Sequence, residues 1–148
     1  MQVLGFAITP QPTMRYEPYQ DEYAAVPTMT DEELLEYFLY RILETDEIWG
    51  LKDGPIWQTR KIGGQTTLPV WPFKRFAEEA AVGEWQHCKP AADSMEYFIY
   101  RTLNKLAAQN AMIDIMPRTS GAGCLITPQR LLTILENTMH SGEYTLED

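Results

Sequence analysis

Leu68-Pro-Val-Trp-Pro-Phe73 is the stretch on which the reading of this chain turns. Residues 66–70, two threonines and then a short apolar run, have the length of a strand rather than of a helix. It ends in Trp71, and Pro72 follows at once. Proline has a fixed φ and no N–H, which the first turn of a helix tolerates. Phe73, Phe76, Ala77 and Ala80 then recur at helical spacing until Gly83. A strand therefore runs straight into a helix here, and the Trp71 ring is expected to close the core at the corner.

Working outward, two more strands are expected before it. Glu47-Ile-Trp-Gly-Leu-Lys52 and Ile56-Trp-Gln-Thr-Arg60 flank Asp53-Gly-Pro55, which is turn chemistry. Upstream of these, Thr30-Asp-Glu-Glu33 has the pattern of a capping box. The helix it opens should run to about Glu44, with Leu34, Phe38 and Ile42 in one apolar row and Leu35, Leu39 and Leu43 in the next. Downstream, residues 83–90 read as a connector and Asp93 as the N-cap of another helix, with Met95, Phe98, Ile99, Leu103 and Leu106 facing inward. Strands over residues 111–116 and 124–126 enclose a turn at Thr119-Ser-Gly-Ala-Gly123, and Thr127-Pro128 opens the last helix.

Two strings are nearly the same: Glu36-Tyr-Phe-Leu-Tyr-Arg-Ile-Leu43 and Glu96-Tyr-Phe-Ile-Tyr-Arg-Thr-Leu103. Each lies on a helix that leads through two strands into a proline-opened helix. The expected class is α+β, as two α-β-β-α-like halves with about five strands in a mixed or antiparallel sheet and about four helices. Related core positions are expected for Phe38 and Phe98, and related boundary positions for Tyr40 and Tyr100. Residues 1–29, with Pro10, Pro12, Pro18 and Pro27 between tyrosines, read as an N-terminal arm, mostly extended, with a strand at residues 3–8. Residues 30–140 form one domain, and residues 141–148 an acidic tail.

The 148 residues carry 12 Lys and Arg against 21 Asp and Glu, a net charge of −9. Binding to nucleic acid requires cations that displace counterions from phosphates, and no basic cluster is visible along the chain. Neither a nucleic acid nor a membrane is therefore expected as partner. No apolar run approaches the roughly 18 residues of a membrane span. Cys88 and Cys124 are too few for a disulfide framework and read as reduced thiols in a cytoplasm.

Little in the sequence points to catalysis. His87-Cys88 is an adjacent base and thiol, but chain neighbours face apart in a strand and diverge on a helix. Neither close Cys nor His spacing for a metal nor a phosphate-binding loop is present, so neither metal nor cofactor is expected. The better signal is the run of Trp49, Trp57, Trp71 and Trp85. If Trp57 and Trp71 share a side they make an aromatic wall beside Lys74 and Arg75. The candidate binding residues are Trp57, Trp71, Lys74, Arg75 and Trp85, with burial in the core as the competing explanation for the rings.

Between residues 32 and 136 the chain resembles a bacterial family catalogued as domain of unknown function 2750. The resemblance rests on Glu36-Tyr-Phe-Leu39, Ile48-Trp-Gly-Leu51, Leu68-Pro-Val-Trp-Pro72, Phe76-Ala-Glu78, Gly83-Glu-Trp85 and Ile115-Met-Pro117. It implies a small cytoplasmic α+β domain with no assigned activity. The function expected from all of this is a non-enzymatic, protein-binding or regulatory module, of the immunity type among others. A small-ligand-binding domain with an aromatic pocket is the alternative, and an enzyme of unfamiliar type comes third.

Overall fold

The computed structural model describes residues 17–141, without the side chains of residues 140 and 141. The strand expected at residues 3–8, the side chain of His140 and the tail beyond residue 141 lie outside the described residues. The chain is α+β, with five helices and seven strands in two sheets among the described residues.

Helix α1, Gln20–Ala25, lies between Pro18 and Pro27 and passes into a 3-10 turn, Val26–Thr28. An extended arm was the expectation for this segment. The interval between the prolines leaves room for one and a half turns, and Pro27 sits at a turn start where no N–H is needed. Tyr23 stacks on Phe76 at 5.9 Å, and Glu22 pairs with Arg41, which holds α1 on the body.

Helix α2, Asp31–Thr45, opens on the capping box: Thr30 Oγ1 accepts from Glu33 N–H at 3.2 Å, and Glu33 Oε1 from Thr30 N–H at 2.9 Å. It ends at Asp46, whose φ of 61° is in the left-handed region. The Asp46 carboxylate then accepts from Met95 N–H at 3.0 Å, so the end of α2 caps the start of α4.

Strand β1, Glu47–Asp53, is the centre of an antiparallel three-stranded sheet. One neighbour is β2, Ile56–Trp57. The other is β5, Lys89–Ser94, in register from Glu47↔Ser94 to Lys52↔Lys89. The second sheet has β3, Arg60–Ile62, beside β4, Gln65–Val70, then β6, Met112–Ile115, and β7, Cys124–Ile126. Only β4 and β6 are parallel, through Thr67↔Met112 to Val70↔Ile115. Trp49 and Trp71 join the two sheets, each donating its N–H to the other's carbonyl at 2.9 and 2.8 Å.

Two strand expectations need correction. The segment expected as one return strand at residues 56–60 divides: Ile56–Trp57 stays with β1, while Arg60 starts β3 in the other sheet. The connector expected at residues 83–90 ends in β5, so Asp93 lies in a strand. Ser94 is the N-cap, accepting from Tyr97 N–H at 3.2 Å. Lys89-Pro-Ala-Ala-Asp-Ser lacks β-branched and aromatic residues, and Pro90 is tolerated because β5 is an edge.

Helix α3 is Lys74–Ala80, with Phe73 as its N-cap, so Pro72 stands one residue ahead of the N-cap instead of inside the helix. Helix α4 covers residues 95–108 with a π segment, Phe98–Thr102, in its middle. Helix α5, Pro128–Ser141, starts on Thr127, whose hydroxyl accepts from Arg130 N–H at 3.1 Å. Phe38 and Phe98 are both fully buried, while Tyr40 and Tyr100 both stand out into solvent. With Ile42, Leu51, Leu103, Ile113, Ile115, Leu131 and Leu135 they make one continuous core, each such side chain contributing roughly 1.5–3 kcal/mol.

Candidate functional site

Two hollows among the described residues take in the expected tryptophans and exceed 600 Å³. The larger, about 720 Å³, lies between α4 and the sheet of β1, β2 and β5. The smaller, about 610 Å³, lies under α1 at the carboxyl ends of β4 and β6. Both have the size of small-molecule sites, roughly 300–1,000 Å³. The expected aromatic wall does not form. Trp57 lines the α4 hollow, whereas Trp71 and Trp85 line the α1 hollow.

Lys74 and Arg75 are also placed otherwise than expected. Both point along the outer side of α3, Lys74 to Glu78 at 4.0 Å and Arg75 to Glu79 at 3.3 Å. The Arg75 guanidinium covers the Tyr23 ring at 3.8 Å from its centroid. Arg75 thus fastens α1 to α3 while Lys74 pairs within α3, and neither lines either hollow.

In the α1 hollow both cations, Arg60 and Arg118, are already engaged. Arg60 contacts the fully buried Asp114 at 3.1 Å and lies 5.4 Å from the Trp85 ring centroid; its Nε is buried without a partner. Asp114 Oδ1 accepts from Gly123 N–H at 2.8 Å. Burial pushes the Asp114 carboxyl above the ordinary value, against the opposing pull of Gly123 N–H and Arg60. Gly123 has no alternative: a Cβ there would sit 2.1 Å from the Ile115 carbonyl oxygen. Arg118 donates to the Met29 and Ala122 carbonyls and pairs with Asp31 at 2.9 Å. Met116 has a positive φ of 55° in this wall, and its N–H reaches the Val70 carbonyl. Every one of these contacts ties α1, β3 or the residue 116–123 turn to the body.

The α4 hollow is different. Lys52, Arg101 and Lys105 all line it, and none has a carboxylate within ion-pair distance among the described residues. Arg41, Arg60, Lys74, Arg75 and Arg118, by contrast, are all paired. Arg101 and Lys105 are four residues apart on α4, in line with Tyr97. Lys52 Nζ sits 4.5 Å from the Trp57 ring centroid. Trp57 in turn packs against Gly50, where a Cβ would approach the ring to 2.9 Å. Trp57, Lys52 and Lys89 are directly opposed across β2, β1 and β5, so two lysines share one face. Asp93 also lines the hollow, and its Oδ2 accepts from Thr102 Oγ1 at 2.6 Å, which pins the π segment to β5. Ile56 and Tyr97, 69% and 55% exposed, form an apolar rim.

His87 and Cys88 do meet, against the expectation that neighbours diverge. They lie between the 3-10 turn Gly83–Trp85 and β5, where neither strand nor helix geometry applies. His87 Nε2 is 3.6 Å from Cys88 Sγ and 3.7 Å from Asp53 Oδ2. A third group thus does stand beside the imidazole. The arrangement does not relay a proton, because the same nitrogen faces both the thiol and the carboxylate. Cys88 is buried, its thiol lies 3.4 Å from Gln58 Oε1, and burial raises its pKa, with the Asp53 charge adding to the effect. A thiol held this way is a poor nucleophile.

Among the described residues no group of three His, Cys, Asp or Glu side chains is placed to hold a metal ion. No described helix is long and apolar enough to cross a membrane. What the fold and its hollows define is a small α+β domain with one cationic, aromatic-rimmed depression. The family model described as "Protein of unknown function (DUF2750)" matches residues 35–135, and the chain belongs to that family. The match takes in all of the α4 hollow and leaves α1 outside. No curated protein matches the chain.

Lys52, Arg101 and Lys105 were absent from the residues expected to bind. The i, i+4 line of Tyr97, Arg101 and Lys105 along one helix is the signal that would have found two of them.

Proposed function

We propose that this chain is a binding module, not an enzyme, and that the α4 hollow takes an anionic ligand. The observation that carries this is the convergence of three unpaired cations in one hollow of a chain whose net charge is −9. Solvated single lysines are ordinary. Three that gather in one concavity, while an excess of carboxylates leaves them alone, amount to a preformed site for negative charge. The two free cysteines suit a reducing, cytoplasmic setting.

Inorganic tripolyphosphate at low salt is the direct probe. It should raise the melting temperature, and at 100 times its Kd it would contribute ~2.7 kcal/mol. The double variant Arg101→Gln/Lys105→Gln should lose that shift. An equal shift in the double variant would show that the anion sits elsewhere and end the proposal.

A second reading is supported by Ile56, Tyr97 and Tyr100, the last 65% exposed. These would suit an acidic segment of a partner protein, with tyrosine and arginine as anchors. A pull-down at low salt that recovers a stoichiometric partner, and loses it with Tyr97→Ala, would favour this second reading.

A further inference from the structure

Resting on the anion-binding reading, we infer that the ligand of the α4 hollow is a small molecule of the nucleotide class: phosphate groups joined to a planar, hydrogen-bonding body. The hollow has separate places for the two parts. On the helix side Arg101 and Lys105 lie one turn apart, and the Arg101 guanidinium supplies the fork that matches phosphate oxygens. On the sheet side Lys52 is held above the Trp57 ring. Tyr97 opens the rim beside it. A ring entering here meets the exposed Tyr97 ring, to which the π-face of a base is suited, while the Trp57 ring lies beneath Lys52 and sets the position of its ammonium.

The lining between the two parts is polar without being charged. The side chains of Thr59, Thr66 and Gln109 line the hollow and make no hydrogen bond within the described residues. They are available to hydroxyls or to the edge of a base, which a bare phosphate chain would leave unmatched. The like-charged neighbours Lys52 and Lys89, and Arg101 and Lys105, repel one another in the free protein. A ligand with several negative charges relieves that repulsion, and one with a single charge does so less. The π segment Phe98–Thr102, where Leu103 N–H reaches back to the Phe98 carbonyl, lies in the wall that carries Arg101. Such π turns recur at binding sites, because they re-aim side chains from an otherwise regular helix.

Calorimetric titration of the full chain with ATP, tripolyphosphate and adenosine tests this. ATP should bind at least ~10-fold more tightly than tripolyphosphate, and adenosine weakly. The ATP advantage should vanish in Tyr97→Ala, an exposed site that leaves folding intact, and in Trp57→Leu. It should persist in Tyr40→Ala, which lies on α2 away from the hollow. If tripolyphosphate binds as tightly as ATP, the nucleotide inference falls while the anion reading stands. If neither binds, both fall. If ATP binds tightly but Tyr97→Ala and Trp57→Leu both keep its advantage, the body lies outside this hollow and the inference is wrong.

Discussion

The α1 hollow and the α4 hollow are alike in size and opposite in how their charges are used. In the first, Arg60, Arg118 and Glu79 each have partners in the protein, and the apolar floor of Trp71, Phe76 and Trp85 is mostly core. In the second, Lys52, Arg101 and Lys105 face open space. A pair buried within the fold contributes to stability or specificity and leaves little for a ligand. A cation without a carboxylate partner in a concavity keeps its charge available to a ligand, even where, as at Lys52, it also lies over an aromatic ring. Aromatic residues alone did not separate the two regions, since each has tryptophan in its wall. The state of the neighbouring charges does.

This contrast predicts that substitutions in the α1 hollow lower stability and spare binding, and that those in the α4 hollow do the reverse. The largest effect belongs to Trp71→Ala. With its ring 3% exposed at the junction of the sheets, the loss should be about 3–5 kcal/mol by urea unfolding. Tripolyphosphate affinity per folded molecule should stay unchanged. A stable Trp71→Ala protein that no longer binds would reverse the assignment of the two hollows.

Next comes Asp114→Ala, which leaves the Gly123 N–H without an acceptor and Arg60 without its carboxylate. About 3 kcal/mol is expected. Asp114→Asn isolates the titration. Burial raises the folded pKa above the unfolded one, so the stability that Asp114 contributes is fully present below its unfolded value. It is lost as pH rises through the folded value. The stability of wild type relative to Asp114→Asn should therefore decline with rising pH across the acidic range, as followed by urea midpoints. A difference that is flat or grows with pH contradicts the raised value.

Smaller still is Arg101→Gln. Loss of one charge-assisted contact should weaken tripolyphosphate binding by about 1.5–3 kcal/mol and leave the melting temperature without ligand within a degree or two. The smallest effect has the opposite sign. Lys105→Gln removes a like-charge neighbour of Arg101 and should stabilise the free protein by about 0.2–0.5 kcal/mol while it weakens the anion. Loss of stability in Lys105→Gln would mean that the lysine is part of the fold's own support.

Much of the architecture was legible along the chain. The capping box at Thr30 and Glu33, the apolar face of α2, the strand-to-helix corner at Trp71 and the Thr127-Pro128 start of α5 all stand as local chemistry requires. These features depend on residues within a few positions of one another. Strand β5 was not legible, because its residues have little strand preference and are held extended by pairing with β1. The return strand after Asp53-Gly-Pro55 was read as one piece, since nothing local announces that Arg60 leaves one sheet for the other.

The candidate site was only partly legible. Trp57 is among the expected residues and does line the α4 hollow, whereas Lys74 and Arg75 are near Trp71 in the chain but point elsewhere. His87 and Cys88 were expected to face apart and instead come together in an irregular segment. By itself the sequence determined most element types, though not α1 or β5, together with much of the core and the net negative charge, because periodicity and composition are local or summed properties. Only the tertiary structure decided which cations find a carboxylate. Pairing depends on the distance between side chains far apart in the chain, such as Arg60 with Asp114, and Lys52, Arg101 and Lys105 are among the cations left without a carboxylate, gathered at one hollow.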